Sequence, residues 1–449
     1  MKKSRNKKLI ALLLCLIVAA GMLGGCKAGG DKSQPTKAGS ESKTKEGAKA
    51  DTKKGEELTA ICVGTESDTY LSAYKSIVED FNKTNQYGVT INMEFYENEQ
   101  YKTKLTTLMA SDAVPDIFFT WELAYLQPFV EGGKVADITT YLEGDKAWKD
   151  SFSDGTLELL SYDGRTYAVP TQKSLCVMFY NKKIFEENQV TVPKTYEEFL
   201  KVCDTLKAAK VTPMTMCGTD AWIPAQFVQQ ISNGIAGMDL YNGISGGTRK
   251  WNDKSHVEAA AELQKMVEAG YFQEGYIGMS PEESTALFTT GKAAMYFMGA
   301  WDSAKVAASE IGADAGAFIL PAKDPNYNNI SVGSVDTSFA ISAKCKNIDA
   351  AAAFLKHWTS QKNEEDILYD QGRMPAGKFD IDSSKLDGLF AEIVNLSNQQ
   401  AGLTPWWDRA FGAGEGVEFN NTCVSVCGGE DPQKAFDSLQ QFAEDNADR

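Results

Sequence analysis

The feature that most restricts the fold lies between residues 57 and 119, where strand-like and helix-like stretches alternate without interruption. The β-prone run LTAICV closes residues 57–63, and Leu71, Tyr74, Ile77, Val78 and Phe81 then recur at helical spacing, with Ser67 or Asp68 available as N-cap. Val, Ile, Met and Phe alternate with polar residues over 89–95, a helix is expected over about 101–110, and Pro115 and Asp116 turn the chain into the apolar strand 117–119. Strand, helix, strand, helix, strand is the opening of an α/β fold with an open sheet, because each helix stripe and each strand face needs the other to bury it. In such sheets ligands bind beyond the carboxyl ends of strands. Two exits therefore matter at once: Glu66 to Asp68 after the first strand, and Trp121 with Glu122 after the third.

The alternation continues through the chain. Residues 164–170 (GRTYAVP) and 175–180 read as strands joined by TQKS at 171–174, a candidate crossing between domains. Thr195 and Glu198 form a capping box for a helix whose inner face is Phe199, Val202, Cys203 and Leu206. Residues 211–218 are a strand and turn that deliver Thr219, Asp220 and Trp222 into a loop. Residues 231–247 are rich in Gly and Asn but hold no phosphate-binding spacing. In GKAAMYFMGAWDS, residues 291–303, Gly291 stops a helix, 293–298 is a buried strand, and Trp301 stands at its exit. By pattern alone that indole is either a cleft wall or, more in keeping with an average tryptophan, a core plug. Residues 325–329 form a polar connector, 331–341 is a strand around Gly333 and Asp336, 372–375 (GRMP) is a second candidate crossing, and Trp406 and Trp407 share a loop at 404–408.

Charge and cysteine content narrow the class. MKKSRNKK, an apolar run to Ala20 and LGGC at 23–26 have the form of a bacterial lipoprotein leader, which predicts cleavage after Gly25, lipidation of Cys26 and anchorage on the outer face of the cell membrane of a Gram-positive host. Residues 26–56 then read as a solvated tether with almost nothing to bury. Residues 1–55 hold 13 of the 45 Lys and Arg and 4 of the 61 Asp and Glu, so the remainder carries about −25, which excludes nucleic acid as a partner. The seven cysteines beyond Cys26 do not form a disulfide framework and read as core thiols, with at most one local bridge; two histidines leave no metal set, and no cofactor is expected.

Several strings in fixed order carry a resemblance: PDIFF at 115–119, YAVP at 167–170 followed by FYNK at 179–182, PKTYEEF at 193–199, F-x-x-GKAAM at 288–295 with GAW after it, and the LGGC box. Together they resemble the extracellular solute-binding proteins of bacterial ABC importers, specifically the carbohydrate-binding group similar to maltose-binding protein. The resemblance implies a two-lobed α/β solute-binding fold with a hinge and an interlobe cleft, with lobe one at about 57–170 plus 326–374 and lobe two at about 172–322 plus 376–449. It implies a monomer that closes on a sugar or oligosaccharide and is met by permease subunits. A pyranose presents apolar C–H faces and a rim of hydroxyls, so the ligand residues it implies are flat rings and fixed polar groups: Glu66, Asp68, Trp121, Glu122, Trp222, Trp301, Asp302, Arg373, Trp407 and Asp408. Of the two adjacent tryptophans, Trp407 is assigned to the ligand and Trp406 to the core.

No catalytic residues are assigned. The rival class is a lipid-tethered glycoside hydrolase, which needs two carboxyls about 5 to 10 Å apart across one bond. No spacing in the sequence singles out such a pair. A receptor for peptides or metal chelates would favour basic clamps or His and Cys ligands over four loop tryptophans, and a role in presenting ligand to a membrane sensor has the same sequence signature as transport.

Overall fold

The computed structural model describes residues 55–446. The leader, Cys26 and the tether up to residue 54 lie outside the described residues. The strands in chain order are β1 (Glu57–Val63), β2 (Thr90–Tyr96), β3 (Ile117–Thr120), β4 (Ser161–Tyr162), β5 (Arg165–Thr166), β6 (Ala168–Asn181), β7 (Thr212–Thr215), β8 (Ala293–Gly299), β9 (Ala315–Phe318), β10 (Ile330–Ile341), β11 (Met374–Pro375) and β12 (Gly402–Thr404). The opening alternation folds as its pattern requires: β2, β1 and β3 pair in parallel, with the helices Leu71–Thr84 and Asn98–Ala110 as crossovers.

Two hydrophobic cores form around this framework. One gathers residues from 58–169 and 339–367, the other residues from 175–332 and 368–443. Strands β3 and β8 are buried at every position, which explains why they are apolar nearly throughout and do not alternate, whereas the edge strand β2 keeps exposed positions. Long strand β6 belongs to both lobes. Its first half pairs with β10, and residues from Cys176 on pair with β8 and β9.

Strand β10 is shared in the same way, and here the expected boundary moves. Ile330–Val332 pair with β12 in lobe two, whereas Ser338–Ile341 pair with β3 in lobe one. The chain therefore crosses inside β10, and the connector at 325–329 packs with lobe two. A polar connector resembles a linker in sequence, but Ala322 donates to Asn328 and Ala401 to Asn329 there, so its polar groups are satisfied locally. The third passage follows the helix Gln361–Gln371, where Gly372 takes a left-handed conformation (φ 58°) and β11 pairs with Gln172 and Lys173 of β6. Three strands thus cross between the lobes side by side, with a bulge in β10 that leaves Asp336 out of register.

All seven described cysteines are free and buried, as core thiols. No described helix is long and apolar enough to cross a membrane.

Candidate functional site

A cleft of about 780 Å³ opens between the two lobes and is lined from both of them. Its lobe-two wall is a run of three indoles. Trp222 and Trp301 lie 6.1 Å apart between ring centroids, and Trp301 and Trp406 lie 5.5 Å apart. Trp301 leaves β8 through one turn of 3-10 helix, and its ring packs over Gly299, where an added Cβ would fall 2.3 Å from the indole. The glycine is therefore required by the ring above it and not by its own backbone, whose φ of −66° suits any residue.

Trp406 is set by the helix Trp222–Ala236. Gln226 of that helix accepts from the Trp406 indole at 3.3 Å, and Gln229 donates to the Thr404 hydroxyl and the Pro405 carbonyl. The sequence assignment of the neighbouring pair is reversed. Both rings are buried, at 3% and 1% exposed, but Trp406 borders the cleft, while Trp407 packs 4.3 Å from His256 and 5.1 Å from Phe419 inside lobe two. Trp406 is the extended residue before a helix that starts at Trp407, so the two side chains leave on opposite sides. His256, buried beside Trp407, is pushed down to about 3 by loss of solvent.

Lobe one contributes Trp121 at the end of β3, held edge-on by Phe119 and Tyr125 at 4.7 and 4.8 Å. Arg409 joins the two walls. Its guanidinium lies 4.5 Å from the Trp406 ring and 5.6 Å from the Trp121 ring, and it pairs with Asp336 at 3.4 Å. Beneath it lies Glu122, wholly buried, with Oε2 at 4.0 Å from Arg409 and, among the described residues, no hydrogen-bond partner within bonding geometry on either oxygen. Burial pushes Glu122 up to about 7, with Arg409 pulling the other way. Glu122 is corrected on this ground, since a carboxylate with no exposed surface does not meet a ligand hydroxyl.

Glu66 is also corrected. It sits outside the cleft, exposed, in a surface ion pair with Lys75 at 2.8 Å. Asp68 lines the cleft and does not cap the helix after it, because its Oδ2 accepts from the Thr65 amide at 2.8 Å and the Tyr70 hydroxyl at 3.2 Å. Asp302 lines the other wall and accepts from Tyr296 at 2.9 Å. Arg373 forms the floor, stacked 3.9 Å over Tyr70 and donating to Gln172 at 2.7 Å, so one side chain ties lobe one to the crossing strand β6. Asp408 lines the cleft as well.

Seven of the ten assigned residues are thus gathered on one cleft, and Glu66, Glu122 and Trp407 are not. The sequence reading missed Tyr70, Asp220, Trp406 and Arg409. Asp220 stood in a loop already marked as a strand exit, so its position was legible. Arg409 carried no signal, since besides nearby Trp406 its partners Trp121 and Asp336 are distant in sequence.

Residues 65–365 match the family model described as bacterial extracellular solute-binding protein, about two thirds of the chain. The chain belongs to this family. Among its relatives, this solute-binding protein is 26% identical over 294 residues to the "multiple sugar-binding protein" of Streptococcus mutans, covering 64% of this chain and 68% of that one. It is 30% identical to a protein solved in work on xylan utilization by the thermophilic bacterium Caldanaerobius polysaccharolyticus, with a TM-score of 0.80 over 86% of this chain and 99% of that one. A chitin oligosaccharide binding protein has the same fold at 23% identity, with a TM-score of 0.82 over 87% of this chain and 98% of the other.

Proposed function

We propose that this solute-binding protein is the substrate-receiving subunit of an ABC importer and that it takes a sugar or oligosaccharide into the cleft between its lobes. The observation that carries the reading is the panel Trp222, Trp301, Trp406 opposite Trp121, with carboxylates and Arg373 between them. Indoles cover the apolar faces of pyranose rings and the polar groups take the hydroxyl rim. The ligand residues of this reading are Asp68, Trp121, Trp222, Trp301, Asp302, Arg373, Trp406 and Asp408. The sugar-binding names of its relatives support the same class.

The mechanism is a population shift. Open and closed forms interconvert about the three crossing strands, a ligand touches both walls only in the closed form, and binding therefore favours closure. The permease engages the closed surface. Cys26, lipidated, holds the chain on the outer membrane face, and the protein acts as a monomer. A tethered glycoside hydrolase shares the acids and indoles, and it differs in consuming its ligand.

The test is a thermal-shift screen against mono- and oligosaccharides, since a ligand that binds only the folded chain raises its stability by mass action. A saturable rise with a subset of saccharides, all recovered intact, is expected. No shift across the panel, or cleavage of a bound oligosaccharide, contradicts it.

A further inference from the structure

The balance of charge in the cleft limits which saccharides fit it. Eight carboxylates line it against four cations, and among the described residues every one of those cations is already engaged. Lys102 pairs with Glu99 at 2.7 Å and Lys305 lies 3.9 Å from Asp302. Arg409 is held by Asp336, over buried Glu122, and Arg373 is sandwiched by Tyr70 and Gln172. Five lining carboxylates, by contrast, have no Lys or Arg at ion-pair distance among the described residues: Asp68, Glu97, Asp220, Glu282 and Asp408. They come from both walls, Asp68 and Glu97 from lobe one and Asp220, Glu282 and Asp408 from lobe two.

Asp220 is where this is most acute. It sits at the mouth on lobe two, accepting from the Trp222 indole at 3.2 Å, so its charge is fixed against the ligand-facing ring. Its proton is held more tightly than an ordinary aspartate's, first because it is partly buried and next because Glu99 and then Glu97 of lobe one are near, while the Trp222 hydrogen bond and Lys102 act the other way. An anionic ligand adds to the repulsion, whereas an uncharged one separates the carboxylates and a cationic one offsets them.

We infer that the cleft selects saccharides by charge: it takes uncharged oligosaccharides, accepts amine-bearing ones and rejects those carrying a carboxylate, with Asp220 as a specificity-determining residue. This rests on the saccharide-binding reading above and adds a sign to it.

The experiment uses the uncharged oligosaccharide that binds most tightly in the screen and converts its reducing end in three ways: to the alditol, the aldonate and the 1-amino-1-deoxyalditol. All three open the terminal ring, so they differ in charge and not in that respect. Calorimetric titration at low salt should place the aldonate at least about tenfold weaker than the alditol and the amine no weaker, with the gap shrinking as salt screens it. Asp220→Asn should narrow the gap between aldonate and alditol by tightening the aldonate. An aldonate that binds as well as the alditol, or a gap that is indifferent to salt, overturns the charge inference and leaves saccharide binding standing. A screen in which no saccharide of any charge binds overturns both.

Discussion

Glu122→Gln tests how the cleft is held from below. Glu122 is wholly buried, and its carboxyl is raised from 4.5 to about 7, with burial as the main cause. Its folded-state proton affinity thus exceeds the unfolded one, so the folded chain binds the extra proton and loses stability as pH rises through that window. Below about pH 4.5 the residue is neutral in both states and costs nothing. Above about pH 7 it is ionised in a site where only Arg409 offsets its charge, and the shift corresponds to about 3 kcal/mol of lost stability. Glutamine keeps the shape and cannot ionise. Urea unfolding of both proteins at pH 5, 6, 7 and 8 should show the variant gaining on the parent by about 2.5 kcal/mol across the series, with equal denaturant slopes. Taking the difference between the two proteins removes other titrating groups, including Glu364, raised to about 8 by burial, and His256, lowered to about 3. A difference that stays flat with pH, or a parent that gains on the variant as pH rises, refutes the reasoning.

Other outcomes follow from the same geometry. Trp301→Ala should weaken saccharide binding by more than tenfold with little change in the ligand-free melting temperature, because the ring is a partly exposed wall of the cleft; unchanged affinity counts against it. Gly299→Ala should weaken binding by a similar route, since the new Cβ displaces the Trp301 ring, and a crystal structure with the ring in place would reject this. Trp407→Ala and Trp406→Ala should each cost about 3–5 kcal/mol of stability, because both rings are buried in the lobe-two core, and only Trp406→Ala should also lower ligand affinity; affinity lost in Trp407→Ala and kept in Trp406→Ala would restore the sequence assignment. Mass-spectrometric mapping after thiol labelling should find Cys62, Cys176, Cys203, Cys217, Cys345, Cys423 and Cys427 unmodified in the native chain, with burial pushing Cys217 and Cys427 to about 12.

The fold was legible because its alternation is local: β1 to β3 and their helices show the right periods within short windows. The helix Trp222–Ala236 was not, since it is buried almost all round and carries Pro224, Gly234 and four inward amides, so it has neither an amphipathic stripe nor helix-favouring composition. That helix is what orients Trp406, and missing it led to the wrong member of the tryptophan pair. Strand exits located Asp68, Trp121, Trp301 and Asp302. They misplaced Glu66 and Glu122, because position along a strand does not say whether a side chain meets solvent, a lysine or the opposite lobe. Arg373 was found through its place in a crossing, whereas Arg409 acts through residues from three separate parts of the chain.

The most direct test of the central claim is calorimetric titration of the purified protein with the best uncharged oligosaccharide, followed by chromatography of the recovered ligand. One site per chain, a negative heat-capacity change from covered apolar surface and intact ligand are predicted, with affinity lost when Trp222, Trp301 or Trp406 is replaced by Ala. Binding that survives all three replacements, or a ligand returned in pieces, would contradict it.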